Sequence, residues 1–293
     1  MNDLICKFEY YLKEGKQSSA NTITSYIRDV SKFFAFFESK DIQNFERCKS
    51  AVNDYIEYLQ TAGKSTSTIN RTIVSLRVFF GFLISANVIL HNPVESFKSI
   101  KKTKTLPRIL TNKEVNLLLS QPKCDSLKGY RDKAMLELLY ATGIRVSELI
   151  DLNLSDVNTL LGFVYCKKSK PERVIPLYQA AISAVENYVK ESRPLLLNDP
   201  EEEALFVNLN GTRMTRQGFW KIIKHYQQES GIKTDITPQV LRHSFATHLL
   251  ENGADIGVMK DILGHSNLSS TIVYAQLIKK DIKKSYIKFH PRA

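Results

Sequence analysis

Apolar residues in the first hundred positions recur every three or four residues, the period of one helix face. After Ser19, a residue type that caps helix N-termini, Ile23, Ile27, Val30, Phe34 and Phe37 fall on one side. A second stretch over 51–62 brings Val52, Tyr55, Ile56 and Leu59 together and stops at Gly63, a helix-ending residue. A third starts near Ser65 or Thr66 and runs through Ile69, Ile73, Leu76, Phe79, Phe80 and Leu83. With an earlier helix over about 3–12, these predict a compact four-helix domain over 1–97. From 98 to 107 the period is lost and the residues turn polar and lysine-rich, as expected of an interdomain linker.

The pattern resumes over 108–293. Thr111-Asn112-Lys113-Glu114 is a capping box ahead of an apolar run. The spacing predicts a buried helix over 131–141, ended at Gly143, then two short strands over 163–166 and 173–177 joined by a lysine-rich turn. Helices are expected over 180–190 and 215–229, and from the Thr237-Pro238 start to 251. Three more follow over 256–263, 270–277 and 282–289. The fold class is mainly α, with a small antiparallel sheet in the second domain.

A length of 293 residues suits two domains, and 43% hydrophobic content suffices for their cores. The formal charge of +11 points to a polyanionic partner. The excess is spread along the chain, which favours folded binding surfaces over a basic tail. Cys6, Cys48, Cys124 and Cys166 form no C-x-x-C pair, so neither a zinc site nor a disulfide framework is expected. The N-terminus lacks a signal peptide's apolar run, and no stretch reads as the ~20 apolar residues of a membrane span. The expectation is a soluble cytoplasmic protein.

The chemistry concentrates in the second domain. Arg145 lies in Ala141-Thr142-Gly143-Ile144-Arg145-Val146-Ser147-Glu148-Leu149, and Arg242 in Leu241-Arg242-His243-Ser244-Phe245-Ala246-Thr247-His248-Leu249. His265 follows Leu263-Gly264, and Tyr274 comes nine positions later. Two arginines, a histidine and a tyrosine are what metal-free attack on a phosphodiester needs. The phenol oxygen attacks phosphorus, and the guanidiniums hold the charge that builds on the non-bridging oxygens. No H-E-x-x-H pattern is present, and His243 and His248, five apart, share no helix face, so neither a metal nor another cofactor is expected.

These segments, together with Leu263-Gly264-His265-Ser266-Asn267-Leu268-Ser269-Ser270-Thr271-Ile272-Val273-Tyr274, the Glu172–Leu177 strand and the terminal His290-Pro291-Arg292-Ala293, resemble the tyrosine recombinase (phage integrase) family. Within it, the Xer branch and its XerD-like subgroup are most similar. The resemblance covers nearly the whole chain. It implies an N-terminal SAM-like core-binding domain, a catalytic domain, and strand exchange through a 3′-phosphotyrosyl intermediate without ATP or metal. It makes Tyr274 the nucleophile, Arg145 and Arg242 the phosphate clamp and His265 a hydrogen-bond donor to a phosphate oxygen. Glu148 becomes a carboxylate that holds its neighbours in place. The general acid falls in the turn after Cys166. Counting back from Glu172-Arg173 selects Lys168, counting forward from Arg145 lands on Ser169, and Lys170 is the second choice.

One position departs from the family pattern. Gln239 stands where a histidine, or sometimes a lysine, precedes the second arginine by three residues. Glutamine hydrogen-bonds but carries no proton near neutral pH. That opens an alternative: a catalytically weakened accessory or architectural DNA-binding protein. Arg28, Arg71, Arg77, Lys102 and Arg216 are the candidate DNA contacts. The resemblance further implies double-stranded DNA with inverted half-sites and a tetramer joined through the last helix. It implies a nucleoid location in a bacterial cytoplasm, with a role in chromosome dimer resolution or mobile-element integration. Whether a partner recombinase or a DNA translocase takes part stays open.

Overall fold

The computed structural model describes residues 2–38, 48–100, 107–167 and 171–264. The chain divides into two compact units, Met1–Lys104 and Thr105–Ala293. The fold is mostly helical, with one small antiparallel sheet.

In the first unit, α1 (Asn2–Tyr10) widens into a π-type turn over Tyr11–Gly15, followed by α2 (Ala20–Glu38), α3 (Cys48–Thr61) and α4 (Thr66–Ser85). Ser19 and Ser65 accept hydrogen bonds from the amides of Thr22 and Thr68, each at 3.2 Å, so the expected cap forms at Ser19 and a second at Ser65. Gly63 takes the left-handed conformation (φ 67°) just past α3. Aromatic rings from all four helices fill the interior, with Phe8 and Phe34 set edge-on to Phe79 at 5.1 and 5.3 Å and Tyr55 against Phe33. One expectation needs correcting. By length and composition alone, α4 is apolar enough to cross a membrane. Its buried Ile69, Ile73, Leu76, Phe79, Phe80 and Leu83 instead form the centre of this core.

The polar face of α4 holds the chain that follows. The Asn70 side chain donates to the Ile100 carbonyl (2.9 Å) and accepts from the Ile100 amide (2.8 Å). Arg77 donates to the Phe97 carbonyl (2.7 Å). Phe97 and Ile100 pack on the core, so the start of the segment expected to be an interdomain linker lies against this unit.

The second unit is built around α6 (Leu127–Thr142), which follows α5 (Asn112–Leu119) and its Thr111–Glu114 capping box. Side chains of α6 itself are buried around the helix, among them Ala134, Met135, Leu136, Leu138 and Leu139, as expected of a helix packed on every side. After α7 (Val146–Asp151) come β1 (Val157–Asn158), β2 (Phe163–Cys166) and β3 (Arg173–Pro176), antiparallel in that order. Val164 pairs with both Val157 and Ile175, and Cys166 pairs with Arg173. Among the described residues, the remaining helices are α8 (Gln179–Asn187), α9 (Arg193–Leu196), α10 (Arg216–Ser230), α11 (Pro238–Glu251) and α12 (Ile256–Leu263). A π-type turn over Tyr188–Ser192 separates α8 from α9. Pro194 explains it, because proline has no amide to close on the carbonyl of Lys190.

Candidate active site

The site starts where α6 stops. Gly143 caps α6 in the left-handed region (φ 57°), and a Cβ there would meet the Phe245 ring at 2.2 Å. Glycine is therefore required twice over, by backbone conformation and by packing. The chain reverses through buried Ile144, and Arg145 takes an extended conformation (φ −73°, ψ 151°) at the head of α7. One turn on, Glu148 accepts the Arg145 amide at 2.7 Å and its guanidinium at 3.1 Å.

Arg242 lies on α11, whose start is fixed by Thr237 accepting from the Val240 amide (3.2 Å). Its side chain is 4% exposed and donates to the Gly143 carbonyl (2.5 Å) and the Leu263 carbonyl (2.7 Å). Arg145, with 45% of its side chain exposed, donates to the Gly264 carbonyl (3.3 Å). Arg173, at the head of β3, donates through Nε to the Ile262 carbonyl (2.7 Å). Three consecutive carbonyls at the end of α12 thus each accept from a different arginine. The last carbonyls of a helix lack intrahelical partners and form the negative end of its dipole, so guanidiniums are favoured there. Gly264 completes the corner, with φ 60° and no room for a Cβ, which would lie 2.7 Å from the Arg173 guanidinium.

Arg173 was not among the expected site residues, yet it joins the site's parts. It forks onto Glu148 with bonds of 3.1 and 3.0 Å while Glu148 also holds Arg145. Strand alternation carried the signal: Arg173 lies on the same side of β3 as buried Ile175, opposite exposed Val174. A cation on the inward face of a strand calls for a carboxylate partner.

Beside the cluster is a cleft of about 220 Å³ lined by Arg145, Ser147, Glu148, Asp151, Cys166 and Lys167. Lys167 pairs with Asp156 at 3.3 Å. Burial pushes the Cys166 thiol up to about 11, which removes it as a nucleophile near neutral pH. His248 is buried and shares a 2.8 Å hydrogen bond with the Tyr140 hydroxyl. The His243 imidazole is held below its usual range by burial and by adjacent Arg242. Among the described residues, no group of His, Cys, Asp and Glu could hold a metal ion.

The structure therefore brings Arg145, Glu148 and Arg242 together. Gln239 is exposed on the first turn of α11. Arg216 is exposed on the first turn of α10, near half-exposed Trp220. In the first unit Arg28 is exposed, Arg71 pairs with buried Asp29 at 2.9 Å, and Arg77 holds Phe97. Lys102, Lys168, Lys170, His265 and Tyr274, with the expected helices over 270–277 and 282–289, lie outside the described residues.

Residues 108–281 match the model of the phage integrase family, and residues 5–87 match that of the phage integrase N-terminal SAM-like domain. The chain belongs to the phage integrase family. Among relatives, it is 43% identical over 290 residues to tyrosine recombinase XerD of Oceanobacillus iheyensis, covering 98% of this chain and 97% of that one. It is 41% identical to tyrosine recombinase XerD of Listeria innocua, with both chains covered completely. The fold is similar to that of the XerH site-specific recombinase in its post-cleavage complex with a palindromic difH substrate. There the TM-score is 0.74 at 20% identity, covering 96% of this chain and 83% of that one. As a phage integrase family member, the chain is a Xer-type, XerD-like tyrosine recombinase.

Proposed function

We propose that this site-specific tyrosine recombinase cuts DNA with Tyr274, clamps the scissile phosphate with Arg145 and Arg242, and completes the clamp with His265. The observation that carries the assignment is the arginine cluster on the last carbonyls of α12. The next residue in the chain is His265, and Tyr274 follows nine positions later. The Tyr274 oxygen forms a bond to phosphorus as the bond to the 5′ oxygen breaks. The phenolic proton passes to solvent or a neighbouring acceptor, and the leaving oxygen takes a proton from Lys168. The 3′-phosphotyrosyl linkage keeps the energy of the phosphodiester, so a 5′ hydroxyl can reverse the step without ATP.

The wider setting follows the family. Inverted half-sites would seat paired protomers, and two pairs would form a tetramer through Ile282, Tyr286, Ile287 and Phe289 of the last helix. Such an enzyme works on the nucleoid, in chromosome dimer resolution and cell division or at the ends of a mobile element. Arg28, Arg71, Arg77, Lys102 and Arg216 remain the DNA contacts to test. Arg28 and Arg216 have the most accessible side chains of those described. The accessory reading drawn from Gln239 is not favoured, because relatives named tyrosine recombinase match over essentially the full chain.

The test uses a duplex selected by the protein from a randomised pool, then nicked beside the cleavage point so that the released fragment diffuses away. A protein–DNA adduct should survive denaturation. Tight binding with no adduct would return the accessory reading. On the same substrate Gln239→His should speed cleavage, because an imidazole can accept the phenolic proton. General acid–base groups typically contribute ~10²–10⁴-fold, which bounds the gain. An unchanged rate constant would show that position 239 is not involved in proton transfer.

A further inference from the structure

We infer that Arg173 is a positioning residue for DNA cleavage, setting at once the direction of Arg145, the end of α12 and the base of the β2–β3 lysine turn. The inference rests on the reading of Arg145 as a phosphate clamp. It adds a residue that acts through Glu148 on Arg145, which is assigned to hold the phosphate.

The geometry is a closed ring. Two nitrogens of Arg173 fork onto the two oxygens of Glu148, at 3.1 and 3.0 Å. The same two oxygens take the Arg145 guanidinium (3.1 Å) and amide (2.7 Å). Arg145 closes onto Gly264 at 3.3 Å, and the third donor of Arg173, Nε, closes onto Ile262 at 2.7 Å. Elements β3, α7 and α12 are thereby tied by side chains 7% (Arg173) and 11% (Glu148) exposed. The pair is thus shielded from the water that weakens surface ion pairs.

Arg173 suits this place better than any other cation. Its planar fork satisfies both carboxylate oxygens while Nε donates to a third acceptor, which a lysine ammonium cannot reproduce. Sequence position extends its reach. Lys168 and Lys170 lie five and three residues before it, so anchoring Arg173 anchors one end of the turn that carries them. Ile262, its carbonyl partner, lies three residues before His265. One guanidinium therefore holds both the carboxylate that directs Arg145 and the end of α12. A displacement of about 1 Å in such a constellation typically costs on the order of 10²-fold in rate.

The test is Arg173→Lys, assayed on the nicked selected duplex under single-turnover conditions. Adduct amplitude counts folded, competent protein, whereas the rate constant at saturating DNA reports positioning. The expected result is a rate constant about 10²-fold lower, with amplitude and DNA affinity within about twofold of the parent. Glu148→Gln, which keeps Arg173 but removes the doubly charged fork, should show the same split and serves if Arg173→Lys does not fold. An unchanged rate constant, or losses confined to amplitude and affinity, would overturn the positioning role and leave the clamp assignment intact. Absence of any adduct from the parent protein would instead remove the clamp assignment on which the role depends.

Discussion

Tyr274→Phe will bind the selected duplex with affinity within about twofold of the parent and form no covalent adduct. The substitution removes one oxygen and leaves the ring, so packing is nearly preserved while the attacking atom is gone. The chain has 13 tyrosines, and five of those described in the catalytic unit are hydrogen-bonded and poorly placed to substitute. Tyr178 is bonded to Glu137, and burial followed by that carboxylate pushes its phenol far up. Tyr226 is bonded to Asp132 at 3.1 Å and is likewise pushed up, first by burial. The Tyr140 hydroxyl is shared with His248, and the Tyr188 hydroxyl accepts from the Val207 amide at 3.2 Å, each phenol raised by burial. The Tyr165 hydroxyl donates to Glu172, whose bond and charge raise it. A raised phenol is harder to deprotonate and makes a poorer nucleophile. The readout is a denaturing gel with labelled DNA, followed by mass mapping of the adduct peptide. An adduct that persists in Tyr274→Phe would assign the chemistry elsewhere.

Much of this architecture was legible in the sequence because it follows local rules. Ser19, Thr111 and Thr237 cap the helices expected of them, since a side-chain oxygen near free amides acts within four residues, and Ser65 and Thr215 cap two more. Gly143 and Gly264 end their helices where expected. The stretch over 180–190 was read as one helix, but the chain passes through a π-type turn and a further short helix. That consequence of Pro194 lies just beyond the window from which the period was read. Strand β1 escaped notice because two residues carry no alternation.

At the site, Arg145 and Arg242 were found by motif, whereas Arg173 was passed over as a strand residue. Its importance depends on partners 25 and 89 positions away, Glu148 and Ile262, which no local pattern encodes. The length and composition of α4 mislead for the same reason. Twenty residues of that composition suit a bilayer or a protein interior, and only the surrounding α1, α2 and α3 decide between them.

Arg242→Ala should have the second largest effect, and its effect is double. The guanidinium is buried and ties the turn after α6 to the end of α12 through Gly143 and Leu263, while serving as half of the proposed clamp. Removing it takes the donor from two carbonyls. Hydrogen bonds to charged groups contribute roughly 1.5–3 kcal/mol each, so a loss of about 3 kcal/mol in stability is expected. For a unit of this size that is a fall of roughly 6–12 °C in the melting midpoint. Loss of a preorganised donor to the phosphate should separately lower the cleavage rate constant by ~10²–10³-fold. Arg242→Lys separates the two effects. An ammonium can still reach one carbonyl and keeps the charge, but cannot hold two carbonyls and fork onto a phosphate. It should therefore recover most of the melting midpoint and little of the rate. Equal recovery of both would mean that Arg242 serves the fold alone and that the phosphate is gripped by other groups.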